Sequence, residues 1–238
     1  MNNHRTLPAA AAGLAAVAVA LSGCGGSAAA PSGQGASGTA RSPAATVAAM
    51  KTAVRQARSV HLAGALSGAG GNTVSLNLGL VRSGGFSGTV SQGGVPETII
   101  NAGGRVYIKA TRAFLAQLHV PAAVCSLMCG KYVAMPRDKS NALAGQLSMP
   151  AMLGSLTGKL PAFTSAGFAT VNGTRSRVLR GADGSTLAVA ASGPPYPVRA
   201  VSPHHARGEL NFSQWNRVPA PAAPPASQVI DLSRLSGT

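Results

Sequence analysis

The sequence predicts an α+β protein organised around an antiparallel sheet, and three observations lead there. Short runs between residues 60 and 110 alternate apolar and polar positions and are separated by glycine pairs. One amphipathic helix with a different apolar spacing precedes them. Late in the chain Asn172-Gly173 and Asp183-Gly184, the strongest short hairpin signals, join further alternating runs.

The first stretch is not part of that fold. Asn2, Asn3, His4 and Arg5 lead into small apolar residues from Leu7 to Leu21. A positive charge followed by an apolar run too short to span a bilayer reads as a secretory signal. The run ends in Leu21-Ser22-Gly23-Cys24. These four residues resemble the lipobox of bacterial lipoproteins. That resemblance implies removal of residues 1–23, diacylglycerol on the Cys24 thiol, and Cys24 as the first mature residue. An ordinary signal peptide with an incidental cysteine is the alternative. Residues 24–42 then form a lipidated cysteine and a Gly/Ser/Ala/Pro tether, which as coil spans on the order of 20–25 Å.

The folded domain is expected over 43–218. Ser42 can cap a helix and Pro43 suits its first position, where the missing N–H costs nothing. Val47, Met50, Val54 and Ala57 share one face, with Lys51, Arg55 and Arg58 on the other. From Val60 the period becomes two. In 73–80 the residues Val74, Leu76, Leu78 and Leu80 face one way, and similar segments follow at 60–67, 85–92, 96–102 and 104–110. Five strands joined by glycine turns make an antiparallel meander with one apolar side.

Helical spacing returns in the middle. Phe114, Leu115 and Leu118 form a short apolar face stopped by Pro121, and Met149, Met152, Leu153 and Leu156 form another, started by Pro150 and ended by Gly158. Lys131–Met135 fits a strand between them. The final third reads as strands at 166–171, 174–180, 185–191, 196–201 and 208–214, with Arg175 and Arg177 opposite Ser176 and Val178. Residues 219–238 are a Pro-rich tail, polyproline-like from Pro219 to Pro225. Val229–Leu235 is too short to classify, as docked turn or frayed end.

Lys and Arg number 20 against 5 Asp and Glu, a formal charge of +15. Nucleic acid does not follow from this, because an exported protein meets anionic phospholipid instead, and 4% aromatics offers few stacking platforms. The basic residues are scattered, which also fits a merely solvated face.

Cys125 and Cys129 remain as an even pair in an oxidising compartment, which favours a disulfide. An extended strand would hold their Cα atoms about 13 Å apart, so the pairing requires a turn over 125–129. Zinc with His119 and the His204-His205 pair is the alternative, and no second Cys pair at finger spacing supports it. Catalysis is not expected, nor a cofactor or metal. The carboxylates are Glu97, Asp138, Asp183, Glu209 and Asp231, none visibly paired, with Glu97 placed in a turn after Pro96. No nucleophile elbow, zinc-protease helix or phosphate loop is present.

Together these residues carry a resemblance. The lipobox and tether are followed by Ala57-Arg58-Ser59-Val60-His61 and the glycine-punctuated meander, which includes Asn101-Ala102-Gly103-Gly104-Arg105-Val106-Tyr107-Ile108-Lys109. Then come Thr170-Val171-Asn172-Gly173-Thr174 and Glu209-Leu210-Asn211-Phe212-Ser213-Gln214-Trp215, ahead of the prolines. This order resembles the actinobacterial lipoproteins of the LppX/LprA/LprF/LprG type, related in fold to the LolA/LolB carriers. The resemblance implies a strongly curved antiparallel sheet, a half-barrel, with α-helices packed on its concave face around an apolar cavity. It also implies an acylated lipid or glycolipid as ligand, and a lipid-anchored site on the extracytoplasmic face of the cell membrane. The candidate lining comprises Val47, Met50 and Val54 from the first helix, Val74, Leu76, Leu78 and Leu80 from the strand, and Met149, Met152, Leu153 and Leu156 from the later helix. The alternative is a non-catalytic sensor or interaction module of the same fold with that cavity filled.

Overall fold

The structure is a computed structural model and describes residues 41–67, 71–117, 119–203 and 207–231. The readings made for the signal, Cys24 and most of the tether, for Leu118 and for His204-His205 lie outside these residues.

Helix α1 (Pro43–Gln56) begins as its sequence dictates. Ser42 accepts from the Ala45 amide at 3.2 Å and Pro43 occupies the first turn. Thr46, Met50, Ala53 and Val54 form its buried stripe. At its other end Arg82 donates to the carbonyls of Ala57 at 2.5 Å and Val54 at 2.7 Å. A cation there satisfies groups that have no partner within the helix.

The sheet is one open array of twelve strands among the described residues, built from two consecutive meanders. The first runs β1 (Ser59–Ser67), β2 (Thr73–Val81), β3 (Phe86–Gln92), β4 (Val95–Ala102), β5 (Arg105–Lys109) and β6 (Tyr132–Ala134). The second runs β7 (Phe163–Val171), β8 (Thr174–Gly181), β9 (Thr186–Ala190), β10 (Pro197–Ser202) and β11 (Arg207–Ser213). An antiparallel β1–β11 pairing, with Leu62 opposite Phe212 and Gly64 opposite Leu210, makes them one sheet. The expected strands are therefore present with ends shifted by a few residues. Glu97 is a correction. It lies inside β4 opposite Val90, not in a turn, because the turn is made by Gly93-Gly94 two residues before Pro96.

Helices α2 (Arg112–Gln117) and α3 (Cys125–Met128) lie between β5 and β6, and α4 (Arg137–Gln146), α5 (Met149–Met152) and α6 (Gly154–Thr157) lie between the meanders. Cys125 and Cys129 are disulfide-bonded with their Cα atoms 4.8 Å apart, as the turn over these residues requires. The single helix expected over Met149–Leu156 is two, broken at Leu153 (φ −96°, ψ 2°) just before Gly154, the poorest helix former after proline. Helix α4 has no counterpart in the sequence reading.

After β11 the chain becomes a strap across the sheet. Asn216 donates from its amide to the Ser59 carbonyl at 2.9 Å, and Val218 to Ser59 Oγ at 3.1 Å. Gly79 and Gly85 leave room for it: a Cβ there would lie 2.8 Å from Val218 and 2.7 Å from Pro221. The strap ends as β12 (Val229–Asp231), parallel to β6, with Asp231 bonded to Arg105 at 2.7 Å. The early part of the tail is thus docked and ends in a strand.

Three glycines mark a line across the sheet. Gly88 is level with Leu62 through Leu78, Gly64 sits one inward-facing position further along β1, and Gly208 is one further, opposite Leu66. Their φ values are +148°, +157° and +159°, and a Cβ on any of them would lie 2.0 Å from a neighbouring carbonyl oxygen. Aligned glycine kinks are a device for bending a sheet. Gly88→Ala is expected to cost about 1–3 kcal/mol in strain plus the displacement of the Asn77 carbonyl. Its urea midpoint should fall below that of Gly94→Ala, whose turn position (φ +82°) has open space around an added Cβ. Equal midpoints would remove the line's structural role.

Candidate functional site

Register fixes which side chains share the covered face. Phe212, Leu62, Leu78, Ile99, Ile108 and Val133 lie in one row across β11, β1, β2, β4, β5 and β6, with Gly88 completing it on β3. The next row carries Ala200, Leu210, Gly64, Leu76, Val90 and Glu97. Against these pack Met50 and Val54 of α1, Met149 of α5, and Leu153 and Leu156 around α6, in a single hydrophobic cluster. All the sequence-named lining positions fall in or against it. Met50, Val54, Leu78, Leu80, Met149 and Leu153 are buried at 2% exposure or less, Leu76 and Leu156 nearly so, and Val47, Val74 and Met152 are partly covered.

Open space lies toward the second meander. An apolar pocket of about 350 Å³ is bounded by Met152 and Leu156 on one side and by Leu66, Leu187, Ala200, Leu210 and Phe212 on the other. Small residues make this room: Gly208 and Ala200 stand where the neighbouring strand positions carry leucine. A second pocket, also about 350 Å³, lies between the first turns of α1 (Pro43, Ala44, Val47, Ala48, Lys51) and Leu160–Phe163. Leu160, Pro161 and Phe163 wall both pockets. Of the sequence-named positions, Val47, Met152 and Leu156 line open space. The residues missed, Leu66, Leu187, Leu210 and Phe212, had a period-two pattern. Their common wall depends on the β1–β11 register, which no local pattern specifies.

Among the described residues, one polar cluster centres on His61. His61 bridges Asn77 (Nε2 to Oδ1, 2.8 Å) and Ser213 (Nδ1 to Oγ, 3.3 Å). The set resembles nucleophile, base and orienter, but it is a ladder across β11, β1 and β2 on the face opposite the covered one, and neither apolar pocket includes it. A more polar pocket of about 560 Å³ is lined by Asn72, Thr73, Gln92, Glu97 and Gln117. Burial pushes the Glu97 carboxyl up from its ordinary value. Among the described residues no helix is long and apolar enough to cross a membrane.

The fold has known counterparts. The chain is similar to LprF from Mycobacterium bovis, with 16% identity and a TM-score of 0.51 over 75% of this chain and 96% of that one. It is also similar to the lipoprotein LppX from Mycobacterium tuberculosis, with 13% identity and a TM-score of 0.46 over 74% and 97%. At such identity the likeness to LprF is one of fold. Neither a family model nor a curated protein matches the sequence.

Glu97 gives a pH signature. Its folded pKa lies above its unfolded one, so folding favours the protonated acid. Stability is lost as pH rises from the ordinary carboxylate value through the raised one. Glu97→Gln is expected to raise the urea midpoint at neutral pH and to leave it unchanged at pH well below that window. A midpoint equal to the parent's at both pH values would place the carboxylate in water.

Proposed function

We propose that this is a cell-envelope lipoprotein that holds an acylated lipid or glycolipid, anchored by Cys24 at the extracytoplasmic face of the cell membrane. The observation that carries the reading is the pair of apolar pockets sharing Leu160, Pro161 and Phe163, in a fold similar to that of LprF. In this reading the covered face is the concave side of a half-barrel, and α1, α5 and α6 are laid across it. The signal is residues 1–23, the tether 24–42 and the carrier domain 43–218.

Holding such a ligand takes burial rather than chemistry, and the reading is non-catalytic with no metal or cofactor. Each acyl CH2 withdrawn from water contributes about 0.8 kcal/mol. Met152, unbranched and polarizable, suits a wall that must fit flexible chains. The two short helices above the first pocket, joined at Leu153, are a smaller barrier to widening than one continuous helix. A second reading, a sensor or interaction module, is favoured by the close packing of Met50, Leu78, Leu80 and Met149.

Lipid extraction separates the two. Protein made in an actinobacterial host and stripped with organic solvent is expected to release acyl lipid identifiable by mass spectrometry. Ala200→Phe, which fills the first pocket, should remove most of that lipid with little change in stability. Leu76→Trp, in the close-packed part, should instead cost about 1–3 kcal/mol through overpacking. Solvent extracts without acyl species would leave the interaction module standing.

The anchor is tested separately. Cys24→Ala is expected to move the protein from the membrane fraction to the soluble one with its circular dichroism unchanged. A variant that stays with membranes after its signal is cleaved would rule out lipidation at this residue.

A further inference from the structure

The outer edge of the sheet at β7 is unusual. No strand pairs with its far side among the described residues, and all its residues from Thr164 to Thr170 are exposed. A register shift between Ser165 and Phe168, with Gly167 at φ +88°, interrupts the ladder. Such a bulge re-aims a side chain and blunts an edge against pairing with another strand. Here it presents Phe168, which is 52% exposed although large and apolar. The ring is held by cations: Arg175 stands 5.5 Å from its centroid and Arg177 6.0 Å.

The same edge continues into the start of α1. Arg177 donates to the Arg41 carbonyl and lies 3.3 Å from Thr46 Oγ1. Arg41, the first described residue, is therefore held by an arginine that also stands over Phe168. Next to Thr46 opens the pocket between α1 and Leu160–Phe163. Lys51 lines it and donates to the Gly158 carbonyl at 2.5 Å, with exposed Lys159 alongside. Of the carboxylates, Asp183 alone lines either apolar pocket, and it accepts from the amide and hydroxyl of Ser185. An exposed aromatic, several cations and an apolar pocket thus lie along β7 and the start of α1.

We propose that this edge is the face by which the domain docks on a bilayer of anionic phospholipid. Phe168 enters the headgroup layer, Arg175, Lys51 and Lys159 meet the phosphates, and the pocket beside α1 opens toward the acyl chains. The proposal rests on the lipid-holding reading, and adds to it the surface through which the ligand passes. The scattered charge of the whole chain attracts it to any anionic surface; the edge decides which side lands.

The test uses the chain from residue 24 onward carrying Cys24→Ala, so that no acyl group contributes to binding. The probe is co-flotation with phosphatidylcholine vesicles, with or without phosphatidylglycerol. Binding is expected to require phosphatidylglycerol and to weaken about fivefold for each cation removed from the docked face. Arg175→Gln/Lys159→Gln should therefore bind about 25-fold less well than the parent. Arg137→Gln/Lys139→Gln, with the same loss of charge on α4, should bind nearly as the parent does. Phe168→Ala should weaken binding where Leu127→Ala, at the other exposed large apolar residue among the described ones, does not. Equal loss in the two double variants, or equal binding to vesicles without phosphatidylglycerol, overturns the proposal. So does dimerisation through β7 that abolishes vesicle binding, since a second copy would then own the edge. Extracted lipid reports on the carrier reading independently, so docking can fail while cargo is present, and the reverse.

Discussion

A sheet with a continuous apolar face must cover that face, and here few helical residues are available to do it. The rows from Phe212 to Val133 and from Ala200 to Val90 present apolar side chains across both meanders. On that side α1 has fourteen residues and α4, which adds Leu143 and Ala144 to the cluster, has ten, while α5 and α6 have four each. A flat sheet of this width would leave much of its apolar face in water. The glycine line through Gly88, Gly64 and Gly208 lets neighbouring carbonyls close in where side chains would stand, so the strands can bend toward the helices. Coverage then depends on position. Where α1 and α5 meet β1 and β2 the contact is closed, and toward β9–β11, where Gly208 and Ala200 replace larger residues, it is not.

Most strands were legible because each is written in local alternation bounded by its own turn. Asn172-Gly173, with φ values of +48° and +75°, is a hairpin that sequence alone specifies. Helix α4 was not legible. It docks through buried Ser140, which accepts from the Val106 amide at 3.3 Å and donates to the Met135 carbonyl at 3.2 Å, and Leu143 and Ala144 pack on the core beside it, so its inner stripe is short and starts on a polar residue that hides the period. The apolar cluster around Met50, Leu78 and Met149 was legible from amphipathic faces, since such faces have one place to go. The pocket walls from β9–β11 were not, because they face α5 and α6 only after a pairing between segments about 150 residues apart is fixed. The strap was half legible. Its prolines announce extended chain, whereas its path is set by Gly79 and Gly85 on strands far away in sequence.

The junction between the meanders is secured by a short polar segment. Trp215 stacks on Tyr196 at 4.5 Å and donates to the Pro197 carbonyl, tying β11 to the start of β10. Asn216, at φ +61°, accepts from the Arg58 amide at 2.6 Å and donates to the Tyr196 hydroxyl at 2.8 Å. One asparagine therefore joins the entrance of β1 to the second meander. With the Ser59 bonds to Asn216 and Val218, the end of α1, β1, β10 and the strap meet at one corner.

The two-meander layout also bears on folding, through the lengths of the loops that its pairings close. Within β1–β6 and within β7–β11 the pairings join strands that follow one another, so apart from the segment between β5 and β6 the loops they close are short. The seam between β1 and β11 has no such shortcut and forms only when residues as distant in the chain as Leu62 and Phe212 meet. Until then Leu62, Leu210 and Phe212 are uncovered along two unpaired strand edges, the condition that exposes a chain to misassembly. The strap adds a second distant pairing, β12 with β6. The costliest loop of this fold is therefore the one closed between β1 and β11, and the corner at Asn216 lies where that seam meets the end of α1.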